Sequence, residues 1–534
     1  MNFKTKPRAR RSGVMLSVWL GCLTVFLLPA VAQLIDKNKA PNLANEGINK
    51  SLEQEIGAGR GDTSTVDSSW FIIARDPFRA IRRGRQLFQR KFTKSEGHGP
   101  IAGNGSGDVG TTLAIGAGLA DSCASCHGRP RGSAGFGGDV VTRPDSRDAP
   151  HLFGLGLKEM LADEITADLR QIRSQAMVRA SSSNAPVTRA LVSKGINYGN
   201  IKALPNGFVD TSGVQGVDAD LRVRPFFLHG GTISIREFLV GAWNAEMGLQ
   251  SVDSDLARAS SGGTVVTPSG MVLNGSTDAI EAPPTADPLA DPDGDGIKNE
   301  IPTSLVDFME FYLLHYFKAG TYQQTPEVEH GRRLFERAQC TSCHIPDLRI
   351  NRDRRLADVE TVYDPVKGIF NNLFATASAF FTTVKDNSGQ PGIKVPNGQP
   401  FLVRNIFTDF KRHDLGPNFH EKNYNGVLRT QFLTTPLWGV GTTAPYGHDG
   451  RSINLEEVIL RHGGEAQASR DEFAAMSGSN RMALIGFLNS LILFPPDDTA
   501  SNLDPGNPAA TGFPQFGHGS IRLTALFNDP GDPE

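Results

Sequence analysis

Four of the chain's five cysteines fall in two copies of one five-residue pattern, Cys123-Ala124-Ser125-Cys126-His127 and Cys340-Thr341-Ser342-Cys343-His344. C-x-x-C-H is the pattern of covalent c-type haem attachment. The two thiols bond the vinyl groups on one porphyrin edge, and the adjacent histidine is placed under the iron as its proximal ligand. A four-thiolate zinc site and a redox dithiol compete for any single C-x-x-C. Two copies, in a chain that reads as exported, argue instead for two covalent c-type haems. The fold this predicts is mainly α: two tandem cytochrome c-like haem domains with long loops and few strands.

The fifth cysteine, Cys22, lies in an apolar run from Val14 to Val31 that follows Lys4, Lys6, Arg8, Arg10 and Arg11 and ends in Ala30-Val31-Ala32. A basic start, an apolar stretch and a small-x-small ending predict a signal peptide over 1–32, with the mature chain periplasmic or secreted and not stably inserted in a membrane. A retained membrane anchor is the competing reading. The net charge of −3, from 54 basic and 57 acidic residues, excludes a nucleic-acid binder that works by bulk positive charge.

The chain also repeats itself around the two motifs. Gly331-Arg332-Arg333-Leu334-Phe335 precedes the second motif, and Gly84-Arg85-Gln86-Leu87-Phe88 precedes the first. Each lies on a helix-like segment opened by a proline, Pro326 or Pro77, at the first turn. A Gly-rich insertion over roughly 93–121 lengthens the first copy. Downstream, the stretch from Gly447 through His448 to Val458 aligns with that from Leu228 through His229 to Phe238. His448 falls 104 residues after His344, and His229 falls 102 after His127.

This duplication predicts an asymmetry. His462 follows the second copy at the end of a helix-like run and is placed to supply the second axial ligand of the C-terminal haem. The matching place in the first copy is Ala242-Trp243, neither of which binds iron. The N-terminal haem is therefore expected to keep an open face for peroxide or dioxygen. Near that face stand Trp243 and Glu246, and splitting an O–O bond needs a carboxylate that relays a proton. From the residues alone, Glu246 reads as a solvated loop acid and Trp243 as core, and the alternative for His462 is a helix-terminal histidine satisfied by backbone.

The text from Phe407-Thr408-Asp409-Phe410 through Thr435-Pro436-Leu437-Trp438-Gly439 and Gly447-His448-Asp449-Gly450-Arg451 to His462-Gly463-Gly464 resembles the di-haem oxidoreductases. These belong to the superfamily of bacterial di-haem cytochrome c peroxidases. The resemblance implies that His462 is the distal ligand of the electron-transfer haem, where peroxidases often use Met. It implies that Glu246 is the catalytic acid, in an Asn244-Ala245-Glu246-Met247-Gly248 segment one residue shorter than the family's. The family's inter-haem tryptophan is missing from Phe227-Leu228-His229-Gly230, leaving Phe227 or Trp243 as substitutes. Phe407 replaces a tyrosine of some relatives. Rubber oxygenases resemble the same superfamily.

Asp291, Asp293 and Asp295, in Asp291-Pro292-Asp293-Gly294-Asp295-Gly296, resemble the opening of a calcium loop, with Glu300 as a closing ligand. A plain Asp/Gly turn is the alternative. A helix over 304–317, apolar on most sides, is expected to be buried, with His315 as a core residue.

The expected organisation is a signal peptide (1–32), a linker (33–69), an N-terminal haem domain (70–250), a second linker (251–300) with the calcium loop, a C-terminal haem domain (301–495) and a tail (496–534). The function expected is a periplasmic di-haem oxidoreductase of peroxidase type. Electrons from a small redox donor protein or small-molecule reductant would pass through the C-terminal haem to the open N-terminal one, which reduces peroxide or dioxygen. A haem dioxygenase and a non-catalytic di-haem electron carrier stay open beside it.

Overall fold

The structure is a computed structural model that describes residues 51–99, 120–128, 148–315, 324–363, 373–422 and 426–493, with two-residue strands at Val31–Ala32 and Gly320–Thr321. The expected signal segment up to residue 30, the tail from 494 and most of the insertion over 93–121 lie outside the described residues. No described helix is long and apolar enough to cross a membrane.

Both proline-opened helices form. Pro77–Gln89 is capped by the Asp76 carboxylate, which accepts from Arg79 N, and Pro326–Arg337 by the Thr325 hydroxyl, which accepts from Val328 N. Each carries the repeated glycine at a helix crossing. A side chain at Gly84 would overlap the Phe308 carbonyl of helix Thr303–Leu314, and one at Gly331 would overlap the Ala483 carbonyl of helix Gly478–Asn489. Only glycine lets the backbones approach this closely. The two crossings make Thr303–Leu314 the counterpart of Gly478–Asn489.

The downstream repeat also matches in detail. Helix Ile235–Met247 is capped by Ser234, and the Glu237 carboxylate accepts from Ile233 N at 3.0 Å. Helix Leu455–Arg461 is capped by Asn454, and the Glu457 carboxylate accepts from Ile453 N at 3.0 Å. Ahead of each helix an isolated antiparallel bridge closes the loop, Phe226 with Thr232 and Tyr446 with Ser452.

Several expectations need correction. Helix Thr303–Leu314, expected at the head of the C-terminal domain, is buried in the larger core beside Ile81, Phe88 and Leu239, a core that also takes in Leu348, Ile350, Val403, Ile406 and Trp438. The described parts of the segments expected as linkers, 51–69 and 251–300, fold onto that same core. Arg60 reaches the Asp307 carboxylate at 3.3 Å, and Leu256, Ala259, Met271 and Leu273 are buried. The smaller core is built from Leu334, Phe335, Phe407, Leu455, Phe473, Leu484 and Phe487.

The expectation of few strands also fails. Twelve α-helices are accompanied by twenty short strands in nine small sheets among the described residues. The largest hairpin pairs Val187–Ser193 with Ile196–Ala203 through Lys194 and Gly195, both at positive φ. That is the two-residue turn whose twist suits paired strands. The signal was alternation: Ile196, Tyr198, Ile201 and Ala203 face inward between exposed or half-exposed neighbours.

Candidate functional site

Each motif opens onto its own cavity. The first forms one helical turn, Cys123–His127, beside a space of about 620 Å3 lined by Phe88, Phe226, Phe227, His229, Trp243, Glu246 and Met247 among others. The second begins as a short turn, Cys340–Ser342, beside a space of about 300 Å3 lined by Phe335, Phe419, Phe432, Trp438, His448 and His462 among others. Because the motifs line different cavities, the four thiols do not converge on one zinc. All four are free. Burial pushes the Cys123 and Cys340 thiols up to about 12. A redox dithiol needs the opposite, a stabilised thiolate.

The motif histidines are oriented alike. His127 Nδ1–H donates to the Pro150 carbonyl at 2.7 Å, and His344 Nδ1–H donates to the Phe407 carbonyl at 3.0 Å. Such a bond fixes the tautomer and leaves Nε2 with its lone pair. Burial lowers the basicity of both imidazoles, that of His344 to about 4, so both are neutral at pH 7. Phe407 holds its carbonyl toward His344 from a left-handed backbone, φ 53°, between Asn405 and Phe410 in the same region. Non-glycine residues pay strain there.

The other histidines of the second cavity separate on their nitrogen atoms. His413 donates through Nδ1 to Glu465 at 2.7 Å and through Nε2 to Asp409 at 2.9 Å. Burial works against its charge, but the Asp409 and Cys343 hydrogen bonds raise it to about 11. Both of its ring nitrogens are thus engaged by carboxylates, while its ligand atom and those of Cys343 and Asp409 lie within 4.8 Å of one another. His448 sits with Nε2 3.1 Å from Glu421 Oε2, its ring stacked on Phe432. His462 alone repeats the motif pattern: Nδ1–H donates to the Val458 carbonyl at 2.7 Å, and burial keeps the ring neutral. It stands where helix Leu455–Arg461 ends, and its electrostatic effect reaches His344. In the first half the matching helix runs on to Met247 and puts Ala242 and Trp243 at that place, both lining the cavity.

Trp243 is 1% exposed, and its Nε1–H has no hydrogen-bond partner among the described residues. Glu246 follows one turn later. Its charge acts on Cys126 and His127, which places it at the same cavity. His315 is a core residue, with Nδ1 on the Phe311 carbonyl and Nε2 accepting from Leu356 N.

Asp148–His151, Leu228 and Leu433–Pro436 line both cavities and form the partition between them. Phe227 and Trp243, the aromatics considered for a route between the haems, line the first cavity alone. Trp438 lies on the second side, its ring so close to Gly154 that a side chain there would overlap it. His151 spans the partition, and burial pulls it down to about 3. Sequence reasoning missed Lys158. The available signal for Lys158 was a cation inside the apolar run Leu155-Gly156-Leu157-Lys158-Glu159-Met160-Leu161.

The three loop aspartates, Asp291, Asp293 and Asp295, bring carboxylate oxygens within 4.8 Å of one another. Glu300 is 3% exposed. Its Oε2 accepts from Gln250 N at 2.5 Å, while its Oε1 has no partner among the described residues. Burial pushes Glu300 up to about 8, and the three aspartates add to this.

Residues 351–491 match the family model described as "Di-haem oxidoreductase, putative peroxidase". No curated protein matches the chain. A crystal structure of a MauG-like protein associated with microbial copper homeostasis aligns with 86% of this chain and 94% of its own, at 14% identity and a TM-score of 0.28. The matched segment contributes His413, His448 and His462 to the second cavity, and it is the part of the chain that is similar to the di-haem oxidoreductases.

Proposed function

We propose that the protein is an exported di-haem c-type oxidoreductase of peroxidase type, in which the first cavity is the reactive centre and the second a relay for electrons from a small donor. One observation carries this reading. His462 presents a neutral imidazole with its Nε2 lone pair at the second cavity, and the duplicated position at the first cavity holds Ala242 and Trp243.

The residues fit two covalent haems. Cys123 and Cys126, then Cys340 and Cys343, would form the thioethers. His127 and His344 would each be a ligand of one iron, and His462 would be a further ligand of the iron at His344. When bound, the haems supply the electron transfer and the reduction of an oxygen species at an open iron face.

The chain supplies position and protons. Hydrogen peroxide takes up two electrons and two protons to give two waters. Glu246 is a carboxylate at the first cavity able to carry a proton between the two oxygens. The unpaired Trp243 Nε1–H is a donor for an oxygen atom bound there, and a buried donor without a partner is costly unless the site uses it. The partition at His151 and Leu433–Pro436 keeps the two cavities adjacent and separate.

The same reading includes a calcium ion on Asp291, Asp293, Asp295 and Glu300, supported by the unpaired buried Glu300 Oε1. Glu300 binds Gln250 N, three residues beyond Met247, so an ion there would brace the end of the helix that carries Trp243 and Glu246.

The test is optical and paramagnetic-resonance spectroscopy of the purified protein, with peroxide turnover under a reduced donor. One low-spin and one high-spin or exchangeable haem, with turnover, is the expected result. Two six-coordinate haems in both redox states would make the protein a carrier. Dioxygen uptake with an organic substrate and no added donor would make it an oxygenase.

A further inference from the structure

We propose that Lys158 is the carboxylate-binding residue of the first cavity and holds a propionate of the haem attached at Cys123 and Cys126. This rests on the reading of that cavity as a haem site. Lys158 lies in the first turn of helix Leu155–Ser183, and its side chain lines the cavity. Its amine stands 5.4 Å from the centre of the Phe226 ring. No carboxylate lies within ion-pair distance of it among the described residues, although Asp148 and Glu246 both line the same space. Arg429, the other cation of the lining, is 4.0 Å from Glu421.

An ammonium held against apolar surface without a counter-charge is disfavoured. Burial accordingly pulls Lys158 down to about 8. A fold that keeps an amine in such a place gains when an anion enters the cavity with it. A c-type haem brings two carboxylates, on the porphyrin edge away from the thioethers. The placement of Lys158 agrees. Its charge acts on His151, in the partition, whereas the charge that acts on Cys126 and His127 is that of Glu246. Lys158 thus acts at the partition, and its charge is not among those acting on Cys126 or His127.

The experiment is a redox titration of the holoprotein, wild type against K158M and K158R, followed optically so that the two haem potentials are resolved. Covalent haem is counted in each variant. A cation beside a propionate favours the reduced iron, so K158M should lower one potential and leave the other in place, and K158R should keep the wild-type value. K158Q, read in the same way, replaces K158M if the latter does not mature. Unmoved potentials in variants that carry both haems would overturn the proposal. So would a shift that appears only on adding formate, which would assign Lys158 to an external carboxylate. So would loss of a low-spin signal, which would make Lys158 an iron ligand. A wild-type protein without haem at Cys123 and Cys126 would instead refute the underlying reading.

Discussion

Gly331 lies against the carbonyl oxygen of Ala483, so close that a methyl group at 331 would overlap it. Gly84 and the Phe308 carbonyl repeat this relationship in the other half. The first helix of each unit is thereby locked to its last. Gly331→Ala and Gly84→Ala should each destabilise the holoprotein by about 1–3 kcal/mol or more, the usual cost of forcing atoms into a packed crossing. Thermal unfolding followed at the haem absorption band checks this. An unchanged midpoint for both would mean that the crossings are not close.

His462 and His344 share one hydrogen-bonding pattern, each with Nδ1–H on a backbone carbonyl. Replacing His462 by Ala should convert one of the two haem spectra from low-spin to high-spin and leave the other as it was. Loss of an axial nitrogen should also raise or scatter that haem's potential. An unaltered low-spin signal would remove His462 from the ligand set.

The parts legible in the sequence were those whose chemistry is local. The C-x-x-C-H runs name their own ligand atoms, and the Pro77 and Pro326 helix starts are set by the neighbouring Asp76 and Thr325 caps. His462 was legible through duplication, since Ala242-Trp243 could be set beside it. What was not legible depends on distant backbone. Nothing near His127 announces Pro150 as its acceptor, and nothing near His344 announces Phe407. The helix Thr303–Leu314 reads as buried on composition, but its side of the domain boundary is fixed by distant partners, the Gly84 crossing and the Arg236 guanidinium on Asp307 and Glu310. The partition joins Asp148–His151 to Leu433–Pro436, and no local pattern pairs segments so far apart in the chain.

At the first cavity, Glu246→Gln keeps shape and removes the proton relay. Peroxide turnover should fall by about a hundredfold or more, in the range that a positioned acid–base group contributes. Trp243→Phe removes one buried donor and should lower turnover to a smaller extent, with the haem count unchanged in both variants. Steady-state kinetics at fixed donor concentration separate the two. Equal turnover in Glu246→Gln and wild type would send the proton relay elsewhere.

Glu310 gives the stability a pH dependence that can be isolated. Its Oε2 accepts from Arg236 at 2.9 Å and from the Ser269 hydroxyl at 3.2 Å, and its Oε1 has no partner among the described residues. Burial, opposed by Arg236, raises the carboxyl from 4.5 to about 7. The folded protein therefore holds this proton after the unfolded chain has released it. The stabilisation is fully present below about pH 4.5 and is lost as pH rises through about 7, on the order of 3 kcal/mol across that window. Glu310→Gln fixes the neutral state and keeps an oxygen for Arg236. Its thermal midpoint should change less between pH 5 and pH 8 than that of the wild type, and at pH 8 it should be the more stable of the two. Parallel midpoint curves for the two proteins would mean that Glu310 is ionised throughout, held so by Arg236.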